Sequence, residues 1–149
     1  MTSPQTSAIP LDAPYYGAPI GEAVSRFWKK YATFSGRASR SEYWWWYLVS
    51  VIVNNVFNVL AFALGGYGLQ MDGRYATPGA GASVVFVLWG IWALATIIPG
   101  LALLIRRLHD TDRSGFWVLI SLVPIVGSII VLVFTVLGPN PAGARFDRR

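Results

Sequence analysis

Residues 43 to 71 read YWWWYLVSVIVNNVFNVLAFALGGYGLQM, a run of 29 residues without a single charged side chain. Two further stretches, Tyr75 to Ile105 and Ser114 to Ala144, are also free of charge. The hydrocarbon core of a bilayer is about 30 Å thick and a helix rises about 1.5 Å per residue, so each stretch is long enough to cross it. We therefore expect an integral membrane protein built from helices.

The composition agrees with a membrane protein. Hydrophobic residues make up 54% of the 149-residue chain and charged residues 13%, and that charged share is about half of the usual one in a soluble domain. We expect a single membrane domain over residues 20–146. Residues 1–19, rich in Pro, Ser and Ala, are expected to form a disordered or loosely attached tail, and residues 147–149 form the C-terminal end.

Hydrophobic patterning predicts an all-α, polytopic bundle of transmembrane helices. We expect an amphipathic interfacial helix over 20–34, with Arg26, Lys29 and Lys30 facing the headgroups, and spans over about 44–64, 84–105 and 116–137. The third apolar run contains Pro124 and Gly127 near its middle. It therefore crosses the membrane as a bent helix or turns back as a re-entrant hairpin, and both alternatives remain open.

The distribution of basic residues predicts the orientation. Basic side chains are concentrated before the first span and between the second and third, whereas the loop after the first span contains only Arg74. The positive-inside rule therefore predicts a cytoplasmic N-terminus. The basic tail, with Arg145, Arg148 and Arg149, lies on the same side only if the third run is a hairpin. The net charge of +5 needs no nucleic-acid partner, since this topology accounts for the basic residues.

Polar residues are rare within the predicted spans, and none of them is ionisable. Asn54 and Asn58 are four residues apart, hence on one helix face, and are expected to hydrogen-bond another helix, because an unpaired amide is costly in hydrocarbon. A transporter or channel usually carries an ionisable group within a span, and none is present here. A transporter or channel subunit is therefore only an alternative, in which a homo-oligomer would form the pore.

Catalytic and metal chemistry is limited by the residue types present. The chain has no cysteine and a single histidine, His109. Disulfides and thiolate chemistry are thereby excluded. No metal site and no other cofactor is expected, because the seven acidic residues are scattered along the chain.

Two polar segments precede aromatic clusters at the predicted membrane boundary. The first motif, residues 34–45, reads FSGRASRSEYWW, and the second motif, residues 106–117, reads RRLHDTDRSGFW. Both combine arginines, small residues and a carboxylate. A weaker tail motif contains Gly138-Pro139-Asn140 and Arg145-Phe146.

These motifs resemble the bacterial membrane-protein family called domain of unknown function 805, over residues from about Phe27 to Phe146. The first two match its patterns G-R-x-x-R-x-E-[YF]-W and R-R-L-H-D-x-x-R-S-G-x-W. In the tail, Asp147 replaces the glycine that often follows the aromatic residue. The resemblance implies a small multi-span inner-membrane protein, and it carries over no established activity and no catalytic residue.

Charge counting puts both strong motifs on the cytoplasmic face, where their groups can pair and staple the start of one helix to the end of another. The expected pairs are Glu42 with Arg106, Arg107 or Arg113, and Asp110 or Asp112 with Arg37 or Arg40. The candidate residues for helix stapling or headgroup binding are Arg37, Arg40, Glu42, Arg106, Arg107, His109, Asp110 and Arg113.

The main functional hypothesis is that this cluster staples the helices and also binds anionic phospholipid or a membrane partner. Arginine forms bidentate contacts with phosphate, and basic residues outnumber acidic ones there. The further alternative is an enzyme acting on a phosphate-containing lipid, with His109 as base and Ser114 or Ser39 as nucleophile. We do not expect an enzyme, because the adjacent His109 and Asp110 do not face each other on a helix.

Overall fold

The computed structural model describes residues 9–66 and 77–147, and every regular element in those ranges is a helix. The predicted all-α fold class is therefore confirmed. In chain order the elements are α1 (Ile20–Lys29), α2 (Arg40–Ala63), α3 (Ala80–Asp110), a 3₁₀ helix (Gly115–Leu122), α4 (Val126–Val136) and a second 3₁₀ helix (Pro141–Phe146). Arg74, Arg148 and Arg149, which entered the charge count, lie outside the described residues.

Among the described residues, two helices are long and apolar enough to cross a membrane by length and composition, α2 with 24 residues and α3 with 31. They fall on the first two predicted spans. α2 begins at Arg40, one turn before the predicted start of the span, and α3 continues through Pro99 to Asp110, beyond the predicted end. The first motif therefore leads into the first turn of α2, and the second motif begins in the last turn of α3.

α2 begins early because Ser39 and Glu42 form a capping box. The Ser39 backbone N–H donates to Glu42 Oε2 over 2.9 Å, and the Glu42 backbone N–H donates to Ser39 Oγ over 3.1 Å. The reciprocal bonds satisfy backbone donors that the start of a helix otherwise leaves unpaired. The S-x-x-E spacing that produces this cap is present in the sequence, and it extends the helix beyond the apolar run.

The third apolar run turns back on itself. Its 3₁₀ helix and α4 are joined at Ile125, whose φ of 65° is left-handed, and the Trp117 and Phe134 rings meet edge to face with centroids 5.5 Å apart. A methyl group at Gly127 would overlap the carbonyl oxygen of Ile120, so only glycine permits this approach. α4 has 11 residues, which extend about 16 Å and cannot span a bilayer. Of the two alternatives, the structure adopts the hairpin.

Residues 9–19 lie against α1 rather than forming a loose tail. Three carbonyl oxygens in this segment accept hydrogen bonds from the Arg26 guanidinium, those of Ile9 (2.5 Å), Pro10 (3.1 Å) and Ala13 (2.9 Å). Proline lacks an N–H and disfavours helix in the residue before it, so carbonyl groups in such a segment stay available to an outside donor. Residues 1–8 of the expected tail lie outside the described residues.

The described residues form two compact units. One comprises the chain before Tyr47 and from Pro99 onward, and the other comprises Tyr47 to Ile98. In the second unit, Trp89 Nε1 donates to Asn54 Oδ1 over 2.7 Å, so Asn54 joins α2 to α3 as expected for an interhelical polar residue. Asn58, the other asparagine expected there, is exposed.

Replacing Gly127 with alanine tests the hairpin. Because the added methyl group would overlap the Ile120 carbonyl oxygen, Gly127→Ala should lower the free energy of unfolding in detergent, by about 1–3 kcal/mol as at other overpacked sites. Gly138→Ala is a matched control, since no atom lies within 4 Å of the position its methyl group would take. Equal unfolding midpoints for the two variants would contradict the hairpin geometry.

Candidate functional site

The first motif, the end of α3 and the C-terminal tail meet in the first unit. Three backbone hydrogen bonds join them, from Gly36 N–H to the Phe146 carbonyl (2.9 Å), from Ala38 N–H to the Arg106 carbonyl (3.0 Å), and from Asn140 N–H to the Asp110 carbonyl (2.7 Å). Gly36 has a φ of +83°, a conformation that a side chain would strain. We call the ionisable groups gathered here the charge network. Its members are Tyr16, Arg26, Lys30, Arg37, Arg40, Glu42, Arg106, Arg107, His109, Asp110, Asp112, Arg113, Arg145 and Asp147.

Arg107 lies at the centre of the charge network and is fully buried. Its Nε donates to the Thr135 carbonyl over 3.1 Å, and its Nη2 donates to the Leu137 carbonyl. Its Nη1 donates to Asp110 Oδ2 over 2.5 Å and to the Ala38 carbonyl over 3.4 Å. The two carbonyls at the end of α4 have no partner within their own helix and carry its negative dipole end, so a guanidinium stabilises them. One side chain therefore ties the hairpin, α3 and the first motif together.

Asp110, also fully buried, is shared between the N-terminal segment and two arginines. The Tyr16 hydroxyl donates to Asp110 Oδ1 over 2.6 Å, and Arg37 Nη1 lies 3.9 Å from the same oxygen. Burial and the bond to Asp110 raise the pKa of Tyr16 to about 12. Tyr16 therefore remains a hydrogen-bond donor to this carboxylate at any physiological pH.

Arg37 binds the C-terminal tail through Asp147. Its Nε and Nη2 donate to the carboxylate of Asp147 at distances of 3.0 and 2.7 Å, a fork geometry that favours the charged form and raises the pKa of Arg37. Asp147 is the residue by which this sequence departs from the family pattern. Where the family pattern has a flexible glycine, the aspartate forms an ion pair that binds the end of the tail to the first motif.

Glu42 has a different partner from the one the sequence predicts. Its carboxylate accepts from the Tyr15 N–H at 3.1 Å and forms an ion pair with Arg26 Nη1 at 3.5 Å, besides capping α2. Within the described residues, Arg106, Arg107 and Arg113 make no ion pair with Glu42. The reason is that α1 presents Arg26 to the interior.

The inward face of α1 consists of Ala23, Arg26 and Phe27 and is continued by Lys30, at the three- and four-residue spacing of one helix face. Phe27 stacks on Trp46 with ring centroids 3.4 Å apart, which fixes this face against α2. Only 3% of Arg26 and 5% of Lys30 is exposed. The expectation that these two residues face the headgroups is therefore wrong, and of the three only Lys29 is exposed.

His109 has a structural role in this arrangement. Its Nδ1 lies 3.0 Å from the Gly36 carbonyl, which can only accept, so Nδ1 carries the proton. Its ring stacks on Phe146 of the tail with centroids 4.0 Å apart and planes 4° from parallel. Within the described residues, no hydrogen bond joins His109 to either serine of the enzyme hypothesis, Ser39 or Ser114.

Several cations of the charge network lack a carboxylate. Arg106 is 1% exposed, its Nε donates to the Ala102 carbonyl over 3.2 Å, and its Nη2 has no hydrogen-bond partner. The Arg113 guanidinium lies 4.0 Å from the centre of the Phe134 ring, and its buried Nε is also unpaired. In the described part of the chain, Arg106, Arg113, Lys30 and the exposed Arg40 make no ion pair.

Arg26, Lys30, Tyr16 and Asp147 belong to the charge network although the sequence reasoning did not select them. The helical spacing of Arg26 and Lys30 with Phe27 was a usable signal, since it gives α1 a mixed inward face. No sequence pattern indicates Tyr16 or Asp147, because their partners lie about a hundred residues away along the chain.

Removing the central guanidinium should be strongly destabilising. Arg107→Met removes the cation paired with Asp110 Oδ2 and the donor to the Leu137 carbonyl, which leaves a buried carboxylate without its nearest positive charge. We therefore expect a loss of about 3–5 kcal/mol in unfolding free energy in detergent. Arg145→Met is the matched control, because the Arg145–Asp112 pair is 2.8 Å long but Arg145 is 62% exposed, and such pairs contribute about 1 kcal/mol or less. Similar losses for both variants would argue against a buried centre.

The stability should also depend on the ionisation of Lys30. Burial lowers its pKa to about 8 from 10.5; Arg106 and Arg26 lower it further, while Glu42 and Asp12 oppose the shift. Below pH 8 both folded and unfolded chains carry the charge, so the folded state bears the whole cost of burying it. Between about pH 8 and 10.5 the folded protein loses this proton first, and the cost disappears.

Lys30→Met should accordingly be more stable than the unmodified protein at pH 7, by on the order of 3 kcal/mol at about 1.36 kcal/mol per pKa unit. This gain should shrink steadily as the pH rises from 8 to 10.5. Unfolding midpoints of the two proteins in detergent at several pH values give the comparison. A gain that stays constant with pH would show that Lys30 is not a buried cation.

The family model described as Protein of unknown function (DUF805) matches residues 31–148. The chain is 43% identical over 106 residues to Inner membrane protein YhaI of Escherichia coli strain K12, covering 71% of this chain and 75% of that protein. It is 36% identical over 118 residues to Inner membrane protein YhaH of the same strain, covering 79% and 87%. No solved structure matches the chain.

Proposed function

The chain belongs to the DUF805 family and is a small integral membrane protein of the inner membrane, and we propose that its charge network fastens the helix ends and binds anionic phospholipid headgroups at the cytoplasmic face. The fastening follows from Arg107, which contacts α4, the end of α3 and the first motif. The proposal of headgroup binding is supported by the cations that this fastening leaves without a carboxylate partner in the described residues.

The observation that carries the lipid proposal is the imbalance between acids and bases. Glu42, Asp110, Asp112 and Asp147 each form an ion pair with an arginine of the network. Arg113 forms none within the described residues, yet it lies at the start of the hairpin against an apolar ring. A headgroup phosphate is the acceptor that the membrane surface offers to a guanidinium in this position.

The cytoplasmic orientation is supported by the position of the tail. The bonds from Gly36 to Phe146 and from Asn140 to Asp110 hold the tail beside the other two motifs. With the third run turned back, the basic residues before α2, after α3 and in the tail fall on a single side. The positive-inside rule then supports a cytoplasmic position for that side, because the loop between α2 and α3 contains only one basic residue, Arg74.

Single cysteines test the orientation, since the chain has none of its own. Ala32→Cys and Ala142→Cys are at exposed positions of the first unit, and Ser83→Cys is exposed near the other end of α3. In intact cells, a membrane-impermeant thiol reagent should label Ser83→Cys and leave the other two unlabelled until the cells are opened. Labelling of Ala142→Cys in intact cells would contradict a shared cytoplasmic face.

Native mass spectrometry tests the lipid proposal. The purified protein should retain phosphatidylglycerol or cardiolipin over phosphatidylethanolamine, and Arg113→Gln should weaken that binding about fivefold, the effect of about 1 kcal/mol for one basic group. Arg145→Gln is the control, because its guanidinium is exposed and already paired with Asp112. Equal retention of neutral and anionic lipid, or equal effects of the two variants, would contradict the proposal.

A further inference from the structure

A small cavity opens beside Lys30 in the first unit. It has a volume of about 220 Å³, and its lining includes Asp12, Lys29, Lys30, Thr33 and Ser35. Since one liquid water takes up about 30 Å³, the space holds more than a single water. With two hydroxyl residues and two lysines, this lining is rich in hydrogen-bond donors.

Lys30 is the unusual residue in this lining. It is 5% exposed, and within the described residues its ammonium group makes no hydrogen bond and no ion pair. A buried ammonium without a partner costs several kcal/mol. Lys30 nevertheless lines a cavity, where an anionic ligand could supply the missing hydrogen-bond acceptor.

The surroundings of Lys30 add positive charge. Arg26 and Arg106, which are 3% and 1% exposed, both act on Lys30 electrostatically, and Arg106 Nη2 has no hydrogen-bond partner. Glu42 is the buried carboxylate among them, and Arg26, Tyr15 and Ser39 already donate to it. Asp12 is an opposing charge in the lining, but it is exposed. The buried groups therefore comprise three cations, Arg26, Lys30 and Arg106, and one carboxylate, Glu42, which leaves two positive charges in excess.

We propose that this cavity binds a phosphate-type anion, with Lys29 and Lys30 as direct ligands, Thr33 as a hydroxyl donor, and Arg26 and Arg106 as the buried positive charge behind them. Lysine binds phosphate as a point charge, and a dianion neutralises the excess that the protein leaves uncompensated. The phosphate group belongs either to a lipid headgroup or to a soluble phosphate ester. The inference shares with the proposed function only the surplus of cations, because Arg113 does not line the cavity.

Thermal unfolding in neutral detergent tests the site, using inorganic phosphate, glycerol 3-phosphate and short-chain phosphatidic acid as probes against chloride at equal ionic strength. At least one probe should raise the unfolding midpoint of the unmodified protein by several degrees. Lys30→Met should bind that probe at least tenfold more weakly, and Lys30→Arg, which keeps the charge, should restore part of the binding. Arg113→Gln should bind it normally, which separates this site from the proposed headgroup contact.

The probes distinguish the source of the phosphate. A response to inorganic phosphate or glycerol 3-phosphate that Lys30→Met loses supports a soluble ester. A response confined to phosphatidic acid and lost in Lys30→Met supports a lipid headgroup. If no probe stabilises the protein, or if Lys30→Met responds as the unmodified protein does, the inference is overturned. Lys30→Met should itself remain folded, because the substitution removes a buried charge.

Discussion

A buried guanidinium must have acceptors for its N–H groups, and the Arg107 side chain imposes this requirement on the whole first unit. Water cannot supply them, because Arg107 is fully buried. The protein supplies a carboxylate from Asp110, the carbonyls of Thr135 and Leu137, and the carbonyl of Ala38. The third apolar run can provide its two carbonyls only by returning to the end of α3. The hairpin and the buried arginine thus depend on each other.

The cations of the charge network divide into two kinds. Arg26, Arg37 and Arg107 are bound to carboxylates or carbonyls and hold separate segments together. Within the described residues, Lys30, Arg106 and Arg113 have no carboxylate partner, and Arg106 Nη2 and Arg113 Nε have no hydrogen-bond partner, which lowers stability. Features that lower stability in this way are expected at functional sites. The paired group therefore accounts for the fold, and the unpaired group is where function is to be sought.

The sequence was sufficient for much of the fold because its strongest signal is length without charge. That signal predicted α2 and α3, and the motif residues indicated the family. The direction of the third run could not be predicted, since Pro124 and Gly127 are equally compatible with a bent span and a turn. The close approach of Gly127 to Ile120 decides between these two alternatives, and this contact is visible only in the folded chain.

The charge pairs were harder to predict than the helices. The two strong motifs were expected to meet, and Arg37 does lie near Asp110. The partner of Glu42 was missed because α1 was assigned to the membrane surface, which turned Arg26 away from the interior. The composition of residues 9–19 predicts a loose tail, although their carbonyl groups are the acceptors that a buried arginine needs. Composition describes the average environment of a segment and not the single long-range contact that holds it.

The central claim is that Arg107 makes the three motifs one cooperative unit. Residue-resolved hydrogen–deuterium exchange of the Gly36, Ala38 and Asn140 amides tests it most directly, since each donates across a junction between motifs. The account predicts one common slow rate for the three amides and a joint acceleration in Arg107→Met. Widely different rates in the unmodified protein, or continued protection in Arg107→Met, would contradict it.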